Sequence, residues 1–459
     1  MKKSHTRVKK EKGISFDRPV LEPNAAGIDV GSRQMFVSVA PDRDSQPVRV
    51  FDVFTDDLNQ LADWLEGCGV TTVAMESTGV YWIPLFEILE QRKLRPCLVD
   101  ARHMKNVPGR RTDWQECQWI QYLHSVGLLR PAFRPAEEVC AVRALMRHRK
   151  NLVEMASQHV QHMHKALTQM NLQIHHVLSD LTGVTGMAIV DAIVDGERDA
   201  SELAKLRDPR TKATTETIRK SLIGNWRPEH LFALKQSREC YSMYQQQISA
   251  CDREIEKLLQ AAPSRREPSD KPLPPNKKRK RNNGIDSESA FSVRTEAYKL
   301  FGVDLTQVPG LAQNVLSLYA EIGSDMSRWA TPAQFVSWLA LCPDNDVSGG
   351  RTLWRGMRKC KNRAAAIFRM AAYSLHRSLT PLGDYLRRMK GRLGPAGAIT
   401  ATARKIAVIV YAMVKNQVPY DETRWAEYEA LRKMRIEAKL HRQARRLGYQ
   451  LVPLQQPAS

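Results

Sequence analysis

The chain has 459 residues, 42% of them hydrophobic and 26% charged, a balance that excludes collagen-like, wholly disordered and membrane-embedded classes. At roughly 100–200 residues per domain, this length makes two to four domains. Seventy Lys and Arg against 49 Asp and Glu leave a formal net charge of +21, and a field of that sign attracts polyanions, nucleic acid foremost.

Residues 1–22 read as a basic disordered arm. MKKSHTRVKKEK is not followed by an apolar stretch of signal-peptide length. From 23 to 134 short apolar runs bounded by Gly, Asp and Pro alternate with helical periodicity, the pattern of an α/β domain with a mixed sheet. A strand holding GIDVG (27–31) is expected to continue to Val39. After it come a strand at 48–54, a helix over 58–67, the strand TTVAMES (71–77), a helix over 81–92 and the strand LRPCLVD (94–100). Thr112, with Gln115 three residues on, predicts a helix start, and the helix runs to about Val126.

From 135 to 262 the apolar period becomes 3.5. Positions 142, 146, 149, 153, 156, 160, 163, 167, 170, 174 and 177 are apolar except Arg149, which predicts a helix of roughly 60 Å with coiled-coil patterning. A second seam runs through Leu234, Tyr241, Tyr244, Ile248, Cys251, Ile255 and Leu258, and the two seams can pair within one chain or between protomers. Residues 263–292 form a Pro-rich basic linker: residues 265–281 carry eight Lys or Arg, KKRKR (277–281) among them, against Glu267 and Asp270. A mostly helical domain spans 293–420, and 421–459 is a basic helix and tail. Eight scattered cysteines without a CxxC pair point to a reduced cytosolic chain. The longest apolar run, Ile406 to Val414, falls short of the roughly 20 residues that cross a bilayer, so no membrane partner is expected.

Acids supply the first chemical constellation. Asp29 lies in a strand, Glu76 ends another, and Asp113 and Glu116 share a helix face at i and i+3. An unpaired carboxylate in a sheet is costly, and a divalent cation is a common remedy. Carboxylates converging from two strands and a helix suit metal-assisted phosphoryl transfer; separate capping and turn roles are the alternative. Asp100 reads as a turn residue.

The second constellation is LCPDNDVSGGRTLWRGMRKCKNR (341–363). Gly349 and Gly350 follow Ser348, and Arg351, Arg355, Arg358, Lys359, Lys361 and Arg363 come after them with no acid between. A serine that attacks a phosphodiester needs cations for the charge developing on the phosphate; a DNA-binding turn whose serine only donates a hydrogen bond reads equally from these residues. Further nucleic-acid contacts are expected at Lys277, Lys278, Arg279, Lys280 and Arg281, and at Gly310, which leads VPGLAQN into a helix start. His159, His162, His175 and His176 read as a solvated helix face rather than a metal site. Among the tryptophans 114, 119 and 354, Trp354 is the better base-stacking candidate and Trp119 reads as core.

GIDVG (27–31), MESTGVYW (75–82), NVPGRRTD (106–113), CQWIQYLHSVGLL (117–129), GNWRPEHLFAL (224–234) and SWLALCPDNDVSGG (337–350) together resemble the transposases of insertion-sequence family one-ten, and more closely its eleven-eleven subgroup. The resemblance implies a RuvC-like domain of RNase H fold, a coiled-coil connector and a C-terminal transposase domain. It implies Asp29, Glu76 and Asp113 as ligands of Mg²⁺ or Mn²⁺, and Ser348 as nucleophile. Family members usually have Asp where this chain has Glu116, and Glu116 is expected as the fourth ligand. Double-stranded DNA, a structured noncoding guide RNA, a homo-oligomer (dimer or tetramer) and a prokaryotic cytoplasmic, nucleoid-associated setting follow from the same resemblance. Two other enzymatic readings stand beside it. A RuvC-like endonuclease would use activated water and leave no covalent adduct. GIDVG also resembles the first phosphate loop of actin-like ATPases and sugar kinases, but their second glycine-rich loop would fall where the 3.5-residue pattern runs. A nucleic-acid scaffold without activity is the non-enzymatic alternative.

Overall fold

The computed structural model describes residues 19–77, 79–99, 112–265, 273, 292–354, 356–358 and 362–451. The chain divides into two compact units, with the boundary in sequence between Arg134 and Pro135.

The first unit is a five-stranded mixed sheet with helices on both faces. Its strands are β1 (Ala25–Val30), β2 (Gln34–Ser38), β3 (Val48–Asp52), β4 (Thr72–Glu76) and β5 (Arg95–Val99); its helices are α1 (Thr55–Gly67), α2 (Trp82–Gln91) and α3 (Asp113–Ser125). Strand order is β3-β2-β1-β4-β5, antiparallel from β3 to β1 and parallel from β1 to β5. The single strand expected from GIDVG to Val39 is two strands. The chain reverses after Val30, where the Gly31 amide donates to the Gln34 carbonyl at 3.0 Å, and β2 returns beside β1.

Strand alternation gives the sheet two different faces. Ile28, Val30, Met35, Val37, Val73 and Met75 form one buried layer with Leu58, Leu61 and Leu65 of α1 and Leu85 and Leu89 of α2. Each such side chain contributes about 1.5–3 kcal/mol on burial, so this layer holds the sheet. On the other face Ala74 and Val99 pack against Ile120 of α3. Thr112 caps α3, its side chain accepting from the Gln115 amide at 3.3 Å. The outer edge of β5 is covered by an antiparallel bridge from Val99 to Pro131.

In the second unit, α4 (Glu137–Gln169) and α9 (Pro228–Ala261) pack antiparallel. The Cys251 thiol lies 3.5 Å from the Leu145 carbonyl, Arg149 pairs with Asp252, and His159 stacks on Tyr244. The seams therefore meet within one chain, with three corrections. Leu152 is buried where Val153 was expected, and Val153 is 38% exposed. The helix also stops at Gln169, about 50 Å long at 1.5 Å per residue, because Asn171 turns the backbone left-handed (φ 56°). In the second seam Leu259 is fully buried rather than Leu258.

Between the long helices, α5 (Ile174–Val177), α6 (Val184–Val194), α7 (Ala200–Lys205) and α8 (Thr215–Ser221) close an apolar cluster of Met163, Leu167, Met170, Ile189, Ile193, Leu203, Ile218 and Leu234. Beyond lie α10 (Val293–Phe301), α11 (Val315–Ile322), α12 (Pro332–Trp338), a hairpin of β6 (Asp346–Ser348) and β7 (Arg351–Trp354), α13 (Arg363–Tyr373), α14 (Pro381–Asn416) and α15 (Thr423–Arg446). Phe301, Phe335 and Phe368 are fully buried among them.

By length and composition, α14 does contain a stretch apolar enough to cross a membrane, contrary to the expectation from the shorter run Ile406 to Val414. Half of that stretch is buried, with Ala403, Ile406, Ala407 and Val410 fully enclosed. The helix also kinks at Gly394, just before Pro395. This is how the core helix of a helical domain is built.

Candidate metal centre and serine hairpin

Asp29 and Glu76 sit at the carboxyl ends of adjacent parallel strands, one residue beyond the paired Ile28 and Met75. Ile28 and Met75 point into the α1/α2 layer, so both acids point to the side covered by α3. Glu116, in the first turn of α3, meets them there. One carboxylate oxygen from each of Asp29, Glu76 and Glu116 lies within 4.8 Å of the other two, and all three side chains are half-buried.

Asp113 is exposed and stands outside this tight group, yet its charge acts on Asp29. Burial, and then the charges of Glu116, Asp113 and Glu76, push the Asp29 carboxyl up to about 7, against a lowering contribution from the Val30 backbone. Acids gathered this closely repel one another, and a hard divalent cation with oxygen ligands relieves that repulsion. The donor set therefore fits such an ion. Glu116, one methylene longer than an Asp, belongs to the converging set. Beside them the Cys117 thiol is fully buried and pushed up to about 12, chiefly by burial, so it stays protonated. Sequence reasoning passed over Cys117, since no pattern marks a cysteine that merely backs a site.

Ser348 is the last residue of β6 and stands in register with Arg351 across Gly349 and Gly350. Both glycines have positive φ, 55° and 75°, which makes the pair the centre of a two-residue hairpin turn. A Cβ at either would meet nothing within 4 Å, so the glycines serve turn conformation rather than packing. Ser348 and Arg351 are exposed, as are Leu353 and Trp354 beside them. Of the expected cations, Arg358 donates to the Ser337 carbonyl at 2.8 Å and Arg363 opens α13 from an exposed position. Arg355, Lys359, Lys361, the run 277–281 and Asp100 lie outside the described residues.

Gly310 adopts φ 84°, and a Cβ there would lie 2.9 Å from Ser374 Oγ and closer still to the Ala371 carbonyl. Its glycine character thus serves the contact with α13, and the helix it precedes, α11, is almost wholly buried. The histidines of α4 and α5 pack against aromatic neighbours: His159 against Tyr244 and His162, His175 against His164 and His176. Burial lowers the affinity of His159 and His175 for a proton. Among the described residues, the Asp29 group is the one in which three potential metal ligands converge.

A transposase family model of the IS110 DEDD type matches residues 26–172, the stretch that carries all four acids. A second, described as transposase of the IS116/IS110/IS902 family, matches residues 304–385, the stretch that carries the Ser348 hairpin. The chain belongs to the IS110 family of transposases. No curated protein matches it. As an IS110 transposase it is a DNA-processing enzyme, and its acid cluster is of the kind that takes a divalent metal. The first match runs across the unit boundary and the second lies beyond it; the acids of this transposase belong to the first unit and Ser348 to the second.

Proposed function

We propose that this transposase excises and inserts its own mobile element by serine-mediated strand transfer assisted by a divalent metal. The convergence of Asp29, Glu76 and Glu116 carries the reading. The strand order of the first unit, three antiparallel strands continued by two parallel ones, supports an RNase H-like domain of RuvC type. Bound there, Mg²⁺ or Mn²⁺ would neutralise the scissile phosphate and stabilise the leaving oxygen. Asp29, Glu76 and Glu116 would hold the ion, and Asp113, one helical turn before Glu116, would add negative potential at the rim.

In this reading Ser348 Oγ attacks the phosphorus. A phosphoserine bond forms as one phosphorus–oxygen bond to a deoxyribose breaks, the serine proton passes to solvent, and attack by a deoxyribose hydroxyl reverses the step on a new strand. Arg351, opposite Ser348 in the hairpin, would meet the charge developing on the phosphate. Acids and serine reside in different units, so one protomer or two can supply them, and a dimer or tetramer matches the several strands that recombination cuts. A structured RNA encoded by the element would choose the DNA partners, in a prokaryotic cytoplasm.

The test is covalent trapping on a nicked duplex carrying an element end, with RNA supplied from the element flank. Wild type should yield a DNA-linked protein and Ser348→Ala none. An adduct that survives Ser348→Ala overturns the serine assignment. Undiminished cleavage by Asp29→Asn overturns the metal assignment, and cleavage without any adduct favours activated water as nucleophile.

A further inference from the structure

α3 rests on β1 with no side chain between them at one point. A Cβ built on Gly27 would lie 2.5 Å from the Cys117 carbonyl oxygen and closer still to the Gln121 amide nitrogen. Those two groups are the i and i+4 partners of one helical hydrogen bond, so the helix backbone lies directly against the strand backbone. Glycine inside a strand commonly marks such an approach. Gly27 is two residues before Asp29 and shares its face of the sheet.

Two further bonds pin α3 beyond that point. Gln121 Nε2 donates to the Ala25 carbonyl at 3.3 Å, and His124 Nε2 lies 2.9 Å from Thr72 Oγ1 on β4. Toward its N-terminus the same helix carries Glu116 to Asp29 and Glu76.

We propose that Gly27 is a positioning residue for the metal centre: the missing Cβ sets the distance of α3 from β1 and thereby the reach of Glu116. The proposal rests on the metal reading above. Ligand distances in a metal site tolerate about 0.2 Å, and a methyl group inserted between helix and strand needs more room than that. Glu is already the longest acidic side chain, so position 116 cannot follow a retreating helix.

The test is Mn²⁺ titration of the full-length protein by electron paramagnetic resonance, in wild type and in three variants. Gly27→Ala should bind Mn²⁺ at least tenfold more weakly, and Thr72→Val, which removes the His124 pin and the bond to the Arg95 carbonyl without adding bulk, about two- to fivefold. Ile28→Val trims the opposite, fully buried face of the same strand and should bind as wild type does. Wild-type affinity in Gly27→Ala overturns the positioning role and leaves the metal reading intact. A wild-type protein that takes up no Mn²⁺ overturns the metal reading itself. Should Gly27→Ala not fold, Thr72→Val decides alone: wild-type affinity there overturns the proposal.

Discussion

Arg149 of α4 and Asp252 of α9 face each other across the helix pair, Nη2 to Oδ2 at 3.2 Å, with the carboxylate almost fully enclosed. The one charge in the first apolar seam is thus answered by a buried charge beside Cys251 of the second. Removing the Asp252 carboxylate takes from the part-buried Arg149 guanidinium the enclosed charge it faces. Asp252→Ala is expected to lower unfolding free energy by about 3 kcal/mol, whereas the apolar pair Arg149→Met with Asp252→Leu should stay near wild type. Urea denaturation of the three proteins checks both statements.

Asp29 sets a pH dependence in the metal-free protein. Its carboxyl titrates near 7 when folded and at 3.8 when unfolded, so the folded chain holds that proton more tightly. Stability should therefore fall as pH rises from about 4 to 7 and level off above. Asp29→Asn should flatten the slope and raise the melting temperature at pH 8. Mn²⁺ should stabilise wild type more at pH 8 than at pH 5.5, where protons compete for the oxygens. Thermal melts across pH, with and without metal, read out all three; a wild-type slope unchanged in Asp29→Asn would refute the assignment.

The unequal placement of the two α3 acids predicts an unequal response. Glu116→Gln should weaken Mn²⁺ binding at least tenfold, because its oxygen is one of the three that converge. Asp113→Asn should cost only two- to threefold, since it acts at a distance through charge. Isothermal titration distinguishes them, and a larger loss in Asp113→Asn would reverse the ranking.

At the serine hairpin, conformation should matter more than bulk. Gly349→Asn keeps the turn, since Asn-Gly suits the same two-residue geometry. Gly350→Val puts a β-branched residue at φ 75° and should not keep it. The adduct on nicked DNA is expected to persist in the first and drop at least tenfold in the second. Equal yields would show that Ser348 does not depend on the turn.

α15 offers a reading of the charge excess. Arg435, Lys439, Arg442 and Arg445 are all exposed along it. If they contact phosphates, changing all four to Gln should lower the slope of log K against log salt by about 3. Fluorescence anisotropy over a salt series measures this, and an unchanged slope removes α15 from the interface.

How far these features could be read beforehand differs by element. The acids were legible because Asp29 interrupts one apolar run, Glu76 closes another, and Asp113 and Glu116 share a helical face. That Glu116 enters the cluster while Asp113 stays outside was not, because spacing gives a face and not a depth. The reversal after Val30 was hidden because Gly31 and Ser32 interrupt the apolar pattern only briefly. The end of α4 had a signal in Asn171, a residue that tolerates left-handed backbone, but the apolar seam ran past it. Gly349 and Gly350 are a recognised hairpin signal, masked because the flanking strands are only three and four residues long and β7 is exposed throughout.

Ser348 borders the two-glycine turn of a two-stranded finger and is exposed to solvent. A hydroxyl exposed in that way depends on what binds around it to sort one phosphate from another. On the proposed mechanism, choosing where to cut is a property of the nucleoprotein assembly that closes around the finger. Changes that retarget the transposase should accordingly map to its nucleic-acid contacts, with the serine hairpin left untouched.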